Sequence, residues 1–264
     1  MQVSHSRIEA FKNCAFKYKM RYIDGIRTLK PDEPDNALFL GTALHTGIEK
    51  GVNEGINEYF MQYPVITDGH INEAMKLEVV VPRAKKLLPE GSHEVKIEDE
   101  DFVGYIDLLA PATGFHDGVI PGLYDIYDFK YSNNVDHYKE SVQLHLYKYF
   151  FEKNNPGKKI RNLYFLFVPK VNIKQKKTES LEEFRMRIQK ELETAEPRLV
   201  QIEYDQGKVV DWLSEVKHTI EATDFPKNQS WLCRYCEYKT FCESNGETTY
   251  DVILPHERRP WERR

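Results

Sequence analysis

Long apolar runs are absent from the sequence, since no stretch approaches the roughly 20 apolar residues that a membrane-spanning helix needs. The first residues, MQVSHSRIEAFKN, also contain no apolar segment of the kind that directs export. These two absences argue against a membrane protein and against a secreted one. We therefore expect a cytoplasmic protein that works under reducing conditions.

Positive charge is also in short supply, because 37 Lys and Arg residues face 42 Asp and Glu residues, for a net charge of −5. The balance gives no global argument for nucleic-acid binding, although a local basic groove would be enough to bind phosphates. The candidate basic segments are FKYKMRYIDGIR, PKVNIKQKK and RRPWERR. The first alternates cations with aromatic rings, which suits phosphate contact and stacking on single-stranded bases. The other two have an equally good reading as ordinary solvated faces.

Cysteine is scarce, with four in 264 residues, but three of the four lie within residues 233–242. Cys233, Cys236 and Cys242 form a C-x2-C-x5-C pattern, and Cys14 lies near the other end of the sequence. In a reducing compartment such a pattern favours metal ligands over disulfides. Four thiolates suit zinc and an iron–sulfur cluster equally well on ligand chemistry. Free thiols are the plain alternative, reasonable for Cys14 taken alone.

The composition that remains, 41% hydrophobic and 30% charged, is typical of a globular chain. Helical patterns come first, followed by a group of short strands and then by alternating helices and strands. This order predicts an α/β fold with a central mixed sheet flanked by helices. We expect one domain over residues 1–264, since no linker is visible: a helical part (1–90), a core (91–222), and a cysteine-rich loop with a basic tail (223–264).

Local signals predict some helix boundaries. Ser6 followed by Glu9 is a capping-box pattern, which predicts that the first helix begins at Ser6. Pro82 predicts an interruption in the helix over INEAMKLEVVVPRAKKLL, because proline lacks the backbone N–H that an inner helical turn needs.

Acidic residues lie on two neighbouring predicted strands. Asp107 belongs to GYIDLL, and Asp128 and Lys130 belong to YDIYDFKYS. Because side chains alternate along a strand, Asp128 and Lys130 share a face, which Asp107 reaches if the two strands pair. Two acids able to hold Mg²⁺ or Mn²⁺, beside a lysine that holds a water, are the equipment of metal-assisted phosphodiester hydrolysis. An exposed Asp–Lys pair is the alternative, but the apolar and aromatic flanks argue against it.

Several motifs in a fixed order resemble those of the PD-(D/E)XK nucleases, specifically of their RecB-like branch. The matching segments are GTALHTGIE with His45, GYID with Gly104 and Asp107, DFK over residues 128–130, and QLHLY with Gln143 and Tyr147. Each motif is common by itself, but their joint order over roughly residues 4–243 is not. The resemblance implies a restriction-endonuclease-like fold.

The resemblance also implies roles for these residues. His45, Asp107, Asp128 and the backbone carbonyl of Phe129 would bind Mg²⁺ or Mn²⁺. The catalytic residues would be Asp107, Asp128, Lys130, Gln143 and Tyr147. Within them Lys130 would orient the attacking water, while Gln143 and Tyr147 would position the DNA and the lysine.

A subgroup of the branch, which includes the CRISPR-associated RecB-like exonucleases and the AddB nuclease domain, carries one cysteine on the first helix and three near the C-terminus. The resemblance therefore implies a structural [4Fe–4S] cluster held by Cys14, Cys233, Cys236 and Cys242. Nothing in the sequence indicates redox catalysis.

The function that follows is a metal-dependent DNA exonuclease acting on single strands or duplex ends, in recombination, repair or CRISPR-type processing. The setting would be a bacterial, archaeal or phage-infected cell, with any helicase, recombinase or integrase as a separate partner. No base-reading motif is present, so we expect little sequence specificity. The alternatives are a non-catalytic iron–sulfur DNA-binding or scaffold protein, against which the retained acids and lysine count, and a hydrolase of small phosphorylated substrates.

Overall fold

The computed structural model of the chain describes residues 2–29, 32–114 and 118–257. The α-helices in this part are α1 (His5–Asn13), α2 (Ala15–Tyr18), α3 (Ala37–Lys50), α4 (Val52–Phe60), α5 (Asp68–Lys85), α6 (Val135–Lys139), α7 (Gln143–Asn154), α8 (Leu181–Glu193), α9 (Gln206–Glu221) and α10 (Lys239–Glu243). The strands are β1 (Arg27–Thr28), β2 (Ser92–Glu98), β3 (Val103–Thr113), β4 (Val119–Tyr131), β5 (Lys159–Val168), β6 (Arg198–Ile202) and β7 (Val252–Ile253). In the described part, no helix combines the length and apolarity needed to cross a bilayer.

The chain divides into two compact units. The first consists of the described residues within Met1–Pro31, Glu100–Phe102 and Val210–Arg264, so it gathers residues near both ends of the sequence. The second consists of Asp32–Asp99 and Val103–Val209, and it contains the large sheet. This division cuts across the parts 1–90, 91–222 and 223–264 that we expect from composition.

The large sheet has five strands in the order β2-β3-β4-β5-β6. The β4–β5 pair is parallel and the other three pairs are antiparallel, which makes the sheet mixed, as the sequence predicts. A parallel pair needs a crossover connection, and α6 and α7 provide it between β4 and β5. The predicted α/β architecture is therefore confirmed.

One face of this sheet packs against α3, α5 and α8. The fully buried apolar side chains there include Leu44, Ile48, Val80, Leu108 and Leu166. Their burial drives the packing, because each apolar side chain removed from water contributes about 1.5–3 kcal/mol. Helix α7 contacts β2, β3, β4 and β5.

Two predicted helix features are wrong. The first helix begins earlier than Ser6, and its N-cap is Ser4, whose hydroxyl accepts a hydrogen bond from the Arg7 N–H. Helix α5 also runs through Pro82 rather than breaking there. Pro82 lies in the last turn of α5, so the cost of one lost hydrogen bond is small beside the burial of neighbouring Val81 and Ala84.

The first unit has a small core of its own. Met20, Ile26, Tyr238 and Val252 are buried together, and the Tyr238 hydroxyl donates to the carbonyl of Ile26 at 2.9 Å. Strands β1 and β7 pair antiparallel beside it. These contacts bring the segment after α2 close to the cysteine-bearing segment 233–242.

Candidate active site

The candidate site lies where strands β3 and β4 part. Their ladder runs from Thr113 opposite Val119 to Leu108 opposite Tyr127, and among the described residues it does not extend to Asp107 and Asp128. These two acids therefore lie one step beyond the last paired residues, on the same face of the sheet. This geometry agrees with the expectation that the two acids lie on one face of two paired strands.

The side chain of Asp107 takes over the role of the missing ladder bond. Its Oδ2 accepts a hydrogen bond from the backbone N–H of Phe129 at 2.6 Å, and the residue is 8% exposed. A backbone N–H bonded to a carboxylate is a strong, charge-assisted contact. This hydrogen bond fixes the orientation of the Asp107 carboxylate and does not involve its second oxygen, Oδ1.

His45 reaches that second oxygen from helix α3. Its Nδ1 lies 3.3 Å from Asp107 Oδ1, and its Nε2 lies 3.1 Å from the carbonyl oxygen of Phe129. Both ring nitrogens face oxygen acceptors, which favours the doubly protonated ring. Burial works against that charge, but the carboxylates of Asp107 and Asp128 outweigh it and raise the pKa of His45 to about 9.

Asp128 and Lys130 form a buried ion pair, with Lys130 Nζ 2.7 Å from Asp128 Oδ2. Asp128 is 1% exposed, and burial raises its pKa above the usual range against the pull of Lys130. Burial also disfavours charge on Lys130, but the two carboxylates prevail and its pKa is raised. The lysine is therefore an ammonium group, which the rings of Tyr138 and Phe165 flank at 5.2 Å and 5.6 Å.

Helix α7 supplies a hydrogen-bonded relay that holds this lysine. Lys130 Nζ donates to Gln143 Oε1 at 2.9 Å, and Gln143 Nε2 donates to the Tyr147 hydroxyl at 2.8 Å. The two residues are four apart on one helix, so they share a face. Burial raises the pKa of Tyr147, which keeps its hydroxyl protonated.

The donors at this site fit a divalent cation. Asp107, Asp128 and the carbonyl of Phe129 offer hard oxygen atoms, and His45 offers one nitrogen, which is a set that suits Mg²⁺ or Mn²⁺. Two carboxylates buried to 8% and 1% exposure are costly unless cations compensate them. The structure thus brings together all the residues that the sequence nominates for metal binding and catalysis.

Sequence reasoning missed one acid. Among the described residues, the only group of three or more His, Cys, Asp or Glu side chains with ligand atoms mutually within 4.8 Å is His45, Glu94 and Asp107. Glu94 lies on β2, next to β3 in the sheet. We call His45, Glu94, Asp107, Asp128 and Lys130 the acidic site.

The four cysteines line a single cavity of about 720 Å³ in the first unit, which we call the cysteine cavity. All four are free thiols and partly exposed. In the part of the chain that the structure describes, no three of their sulfur atoms lie within 4.8 Å of one another. Burial raises the pKa of the Cys236 and Cys242 thiols, so a cation would be needed to hold them as thiolates.

The basic segments differ in how much charge they offer. In the first, Lys17 lies 2.7 Å from Glu237 and Lys19 lies 2.6 Å from Asp24, so acids partly neutralise it. In the second, the exposed lysines are Lys174, Lys176 and Lys177. Across the described ranges, no ion pair within 4.0 Å involves these three ammonium groups. The third segment, residues 258–264, lies outside the described residues.

Comparisons with known proteins agree with this geometry. The family model described as "PD-(D/E)XK nuclease superfamily" matches residues 2–243. Among solved structures, a candidate exonuclease from Eubacterium rectale superposes with a TM-score of 0.52 at 14% identity, covering 96% of this chain and 90% of that one. At that identity the likeness concerns the fold alone. A search of curated proteins finds no significant match.

Proposed function

The chain belongs to the PD-(D/E)XK nuclease superfamily, and on that premise we propose that it is a metal-dependent exonuclease of the RecB-like branch that degrades DNA from an end. The observation that carries the proposal is the convergence of Asp107, Asp128 and Lys130 at the parting of β3 and β4, with the Asp128–Lys130 contact at 2.7 Å. Asp128 is only 1% exposed, so the alternative reading of Asp128 and Lys130 as an exposed Asp–Lys pair does not hold.

The residues that would hold the metal ion are His45, Asp107, Asp128 and the carbonyl of Phe129. When bound there, Mg²⁺ or Mn²⁺ polarises a phosphoryl oxygen and lowers the pKa of a coordinated water. His45 would have to give up the proton that it shares with Asp107, since only a neutral imidazole nitrogen binds a metal. The Phe129 N–H occupies Asp107 Oδ2, so the metal would bind Oδ1, the oxygen that His45 Nδ1 contacts at 3.3 Å.

Lys130 would orient the attacking water and stabilise negative charge that develops on the phosphate. Its ammonium group is well placed for this, because Asp128 and Gln143 hold it from two sides at 2.7 Å and 2.9 Å. Prepositioned charge costs no reorganisation during the reaction. Tyr147 would act through Gln143, as a positioning residue for the lysine.

The second part of the proposal is a [4Fe–4S] cluster in the cysteine cavity. Cys14, Cys233, Cys236 and Cys242 surround one space, which any shared metal centre requires. A lone zinc ion bound at about 2.3 Å per sulfur would draw its sulfurs to within about 4 Å of one another. In a [4Fe–4S] cluster each sulfur would bind a different iron atom, and the resemblance of the four-cysteine layout to that of the RecB-like subgroup supports such a cluster over zinc. Its role would be structural.

DNA is the proposed substrate, bound without sequence preference through its phosphates. Of the two basic segments that the structure describes, the one with Lys174, Lys176 and Lys177 is the better candidate contact, because acids pair with Lys17 and Lys19 of the other. We also propose that residues 1–264 act as one nuclease domain, a reading that the family match over residues 2–243 supports.

The test is a nuclease assay that compares linear with circular single-stranded DNA, with Mg²⁺, Mn²⁺ or a chelator. We expect the metal-containing reactions to shorten end-labelled linear DNA progressively and to leave circles intact. Equal cleavage of circles would replace the exonuclease with an endonuclease. DNA binding without any cleavage, under either metal, would support the scaffold alternative and refute the proposal.

A further inference from the structure

Glu94 adopts a backbone conformation that residues with a side chain rarely adopt. Its φ is 51°, and in the described part of the chain it shares a positive φ only with Asn245 among non-glycine residues. Asparagine tolerates this region, but glutamate has no local hydrogen bond that favours it. Strain of this kind persists where the surrounding structure imposes it, and it is concentrated at functional sites.

The strained residue lies directly across from Asp107. In the antiparallel β2–β3 register His93 faces Leu108 and Val95 faces Ile106, and Glu94 is skipped between these pairs. Glu94, Asp107 and Asp128 therefore occupy successive positions in a row across three neighbouring strands. The backbone departs from the regular ladder at the point where it carries an acid toward the site.

The carboxylate of Glu94 is close enough to share a ligand with the buried residues. Its oxygen lies within 4.8 Å of ligand atoms of both His45 and Asp107. Asp107 is buried and Glu94 is exposed, so Glu94 is the acid on the solvent side of the pair. Asp128 Oδ2, by contrast, is engaged by Lys130.

Glu98, on the same strand, shows what an ordinary exposed glutamate looks like here. Its Oε2 forms a surface ion pair with Lys96 Nζ. For Glu94, the ion pairs among the described residues include none within 4.0 Å. Glu94 thus has a strained backbone, no ion pair with a lysine or arginine among the described residues, and a carboxylate near His45 and Asp107. This combination suits a residue that binds a cation.

We propose that Glu94 is a further ligand of the divalent ion, binding it on the solvent-facing side opposite the buried acids. The inference rests on the proposed function, because it assumes that the acidic site binds Mg²⁺ or Mn²⁺. It adds a ligand that the D-x-K, G-x-x-D and histidine motifs do not contain. A carboxylate there gives the ion a third acidic ligand besides Asp107 and Asp128, and it would raise the affinity of a site that is open to water.

The test measures Mn²⁺ binding to the metal-free full-length protein, by electron paramagnetic resonance of the unbound ion. Glu94→Gln keeps the size of the side chain and removes its charge, and we expect the Mn²⁺ affinity to fall about tenfold. Glu98→Gln is the matched control on the same strand, and we expect wild-type affinity. Asp107→Asn should abolish measurable binding.

Glu94→Gly separates a ligand from a residue that merely shapes the strand. Glycine adopts positive φ without steric cost, so we expect this variant to raise the unfolding temperature of the metal-free protein. It should lower Mn²⁺ affinity as much as Glu94→Gln does. A gain in stability together with a loss of Mn²⁺ affinity would show that the strained conformation of Glu94 serves metal binding and not the stability of the strand.

Wild-type Mn²⁺ affinity in both Glu94 variants, with binding lost in Asp107→Asn, would overturn this inference and leave the proposed metal site standing. Wild-type affinity in Asp107→Asn as well would overturn the metal site itself, and the inference with it. The readout is binding and not cleavage, so neither result depends on the choice of DNA substrate.

Discussion

The acidic site and the cysteine cavity hold their ligand-bearing side chains in opposite ways. In the acidic site, protein contacts already fix the side chains: the Phe129 N–H holds Asp107 at 2.6 Å, and Lys130 lies 2.7 Å from Asp128. In the cysteine cavity, the four thiols are spread around the space that they line, and the Ser230 N–H donates to Cys233 Sγ at 3.5 Å, an ordinary distance for sulfur. The ligand atoms of the first site converge through protein contacts, whereas those of the second line a cavity.

The difference teaches what each candidate metal centre does for the protein. A site that packing and hydrogen bonds have assembled can bind and release its ion without unfolding, as a catalytic site must. A site whose ligands are apart gains its order from the metal, so the binding free energy becomes folding free energy. We therefore expect variants of the first site to lose activity and variants of the second to lose stability.

The largest expected effect is that of Asp128→Asn or Lys130→Ala. Each removes a charge from the reacting centre, and we expect cleavage to fall by about a thousandfold or more. The fold and the iron content should stay as in the wild type, measured by circular dichroism and by metal analysis. Asp136→Asn, on exposed α6, is the control. Wild-type degradation of DNA by either variant would show that the acidic site is not the catalytic site.

Cys233→Ala comes next, with its effect on stability. We expect loss of iron, loss of the broad absorption near 400 nm that iron–sulfur proteins show, lower solubility, and a destabilisation of several kcal/mol in thermal unfolding. Glu243→Gln is the control, because Glu243 lines the same cavity without offering a thiolate. A fully folded Cys233→Ala protein that keeps its iron would show that the cysteines are not ligands.

Gln143→Ala tests the support of the lysine, and its effect should be smaller. Since Gln143 holds Lys130 without being a ligand, we expect the cleavage rate to fall about 10- to 100-fold while Mn²⁺ affinity is unchanged. Tyr147→Phe should have a weaker effect in the same direction, because it removes only the outer member of the relay. Gln201→Ala on β6 is the control. A fall in Mn²⁺ affinity would contradict the positioning role.

The smallest effect concerns DNA contact. Replacing Lys174, Lys176 and Lys177 together by Gln should weaken single-stranded DNA binding several-fold and reduce the salt slope of log affinity by about 2, since each lost phosphate contact accounts for about 0.7. A triple variant of Lys85, Lys86 and Lys190 removes the same charge from the C-terminal end of α5, where Lys86 is the C-cap, and from α8. Equal salt slopes for the two triple variants would show that the segment containing Lys174 is not the contact.

The sequence predicts best those features that depend on near neighbours. Asp128 and Lys130 share a face because they are two apart on a strand, and Gln143 and Tyr147 share one because they are four apart on a helix. The mixed sheet also follows from the order of helical and strand patterns. The contact of His45 with Phe129 spans 84 positions, and only the family resemblance suggests it. The catalytic and ligand roles themselves stay predictions.

Features that depend on tertiary structure could not be predicted from the sequence. Glu94 belongs to the alternating pattern SHEVKIE, in which it falls with Lys96 and Glu98 on a polar face, so nothing marks it as part of a site. A glutamate in the sequence also gives no indication that the backbone φ at its position is positive. In the same way, the pairing of Lys17 with Glu237, 220 positions away, reduces the charge of a segment that looks basic in isolation.

The bond from the Phe129 N–H to Asp107 ties chemistry to architecture at one residue. Asp107 substitutes for a rung of the sheet, whereas Asp128 and Lys130 satisfy mainly each other. A descendant that abandons cleavage could therefore replace the latter pair with apolar residues and keep its shape, but it could change Asp107 only by loosening two strands. In relatives that have become inactive, we expect Asp107, the acid that links β3 to β4, to be the last of the set to disappear.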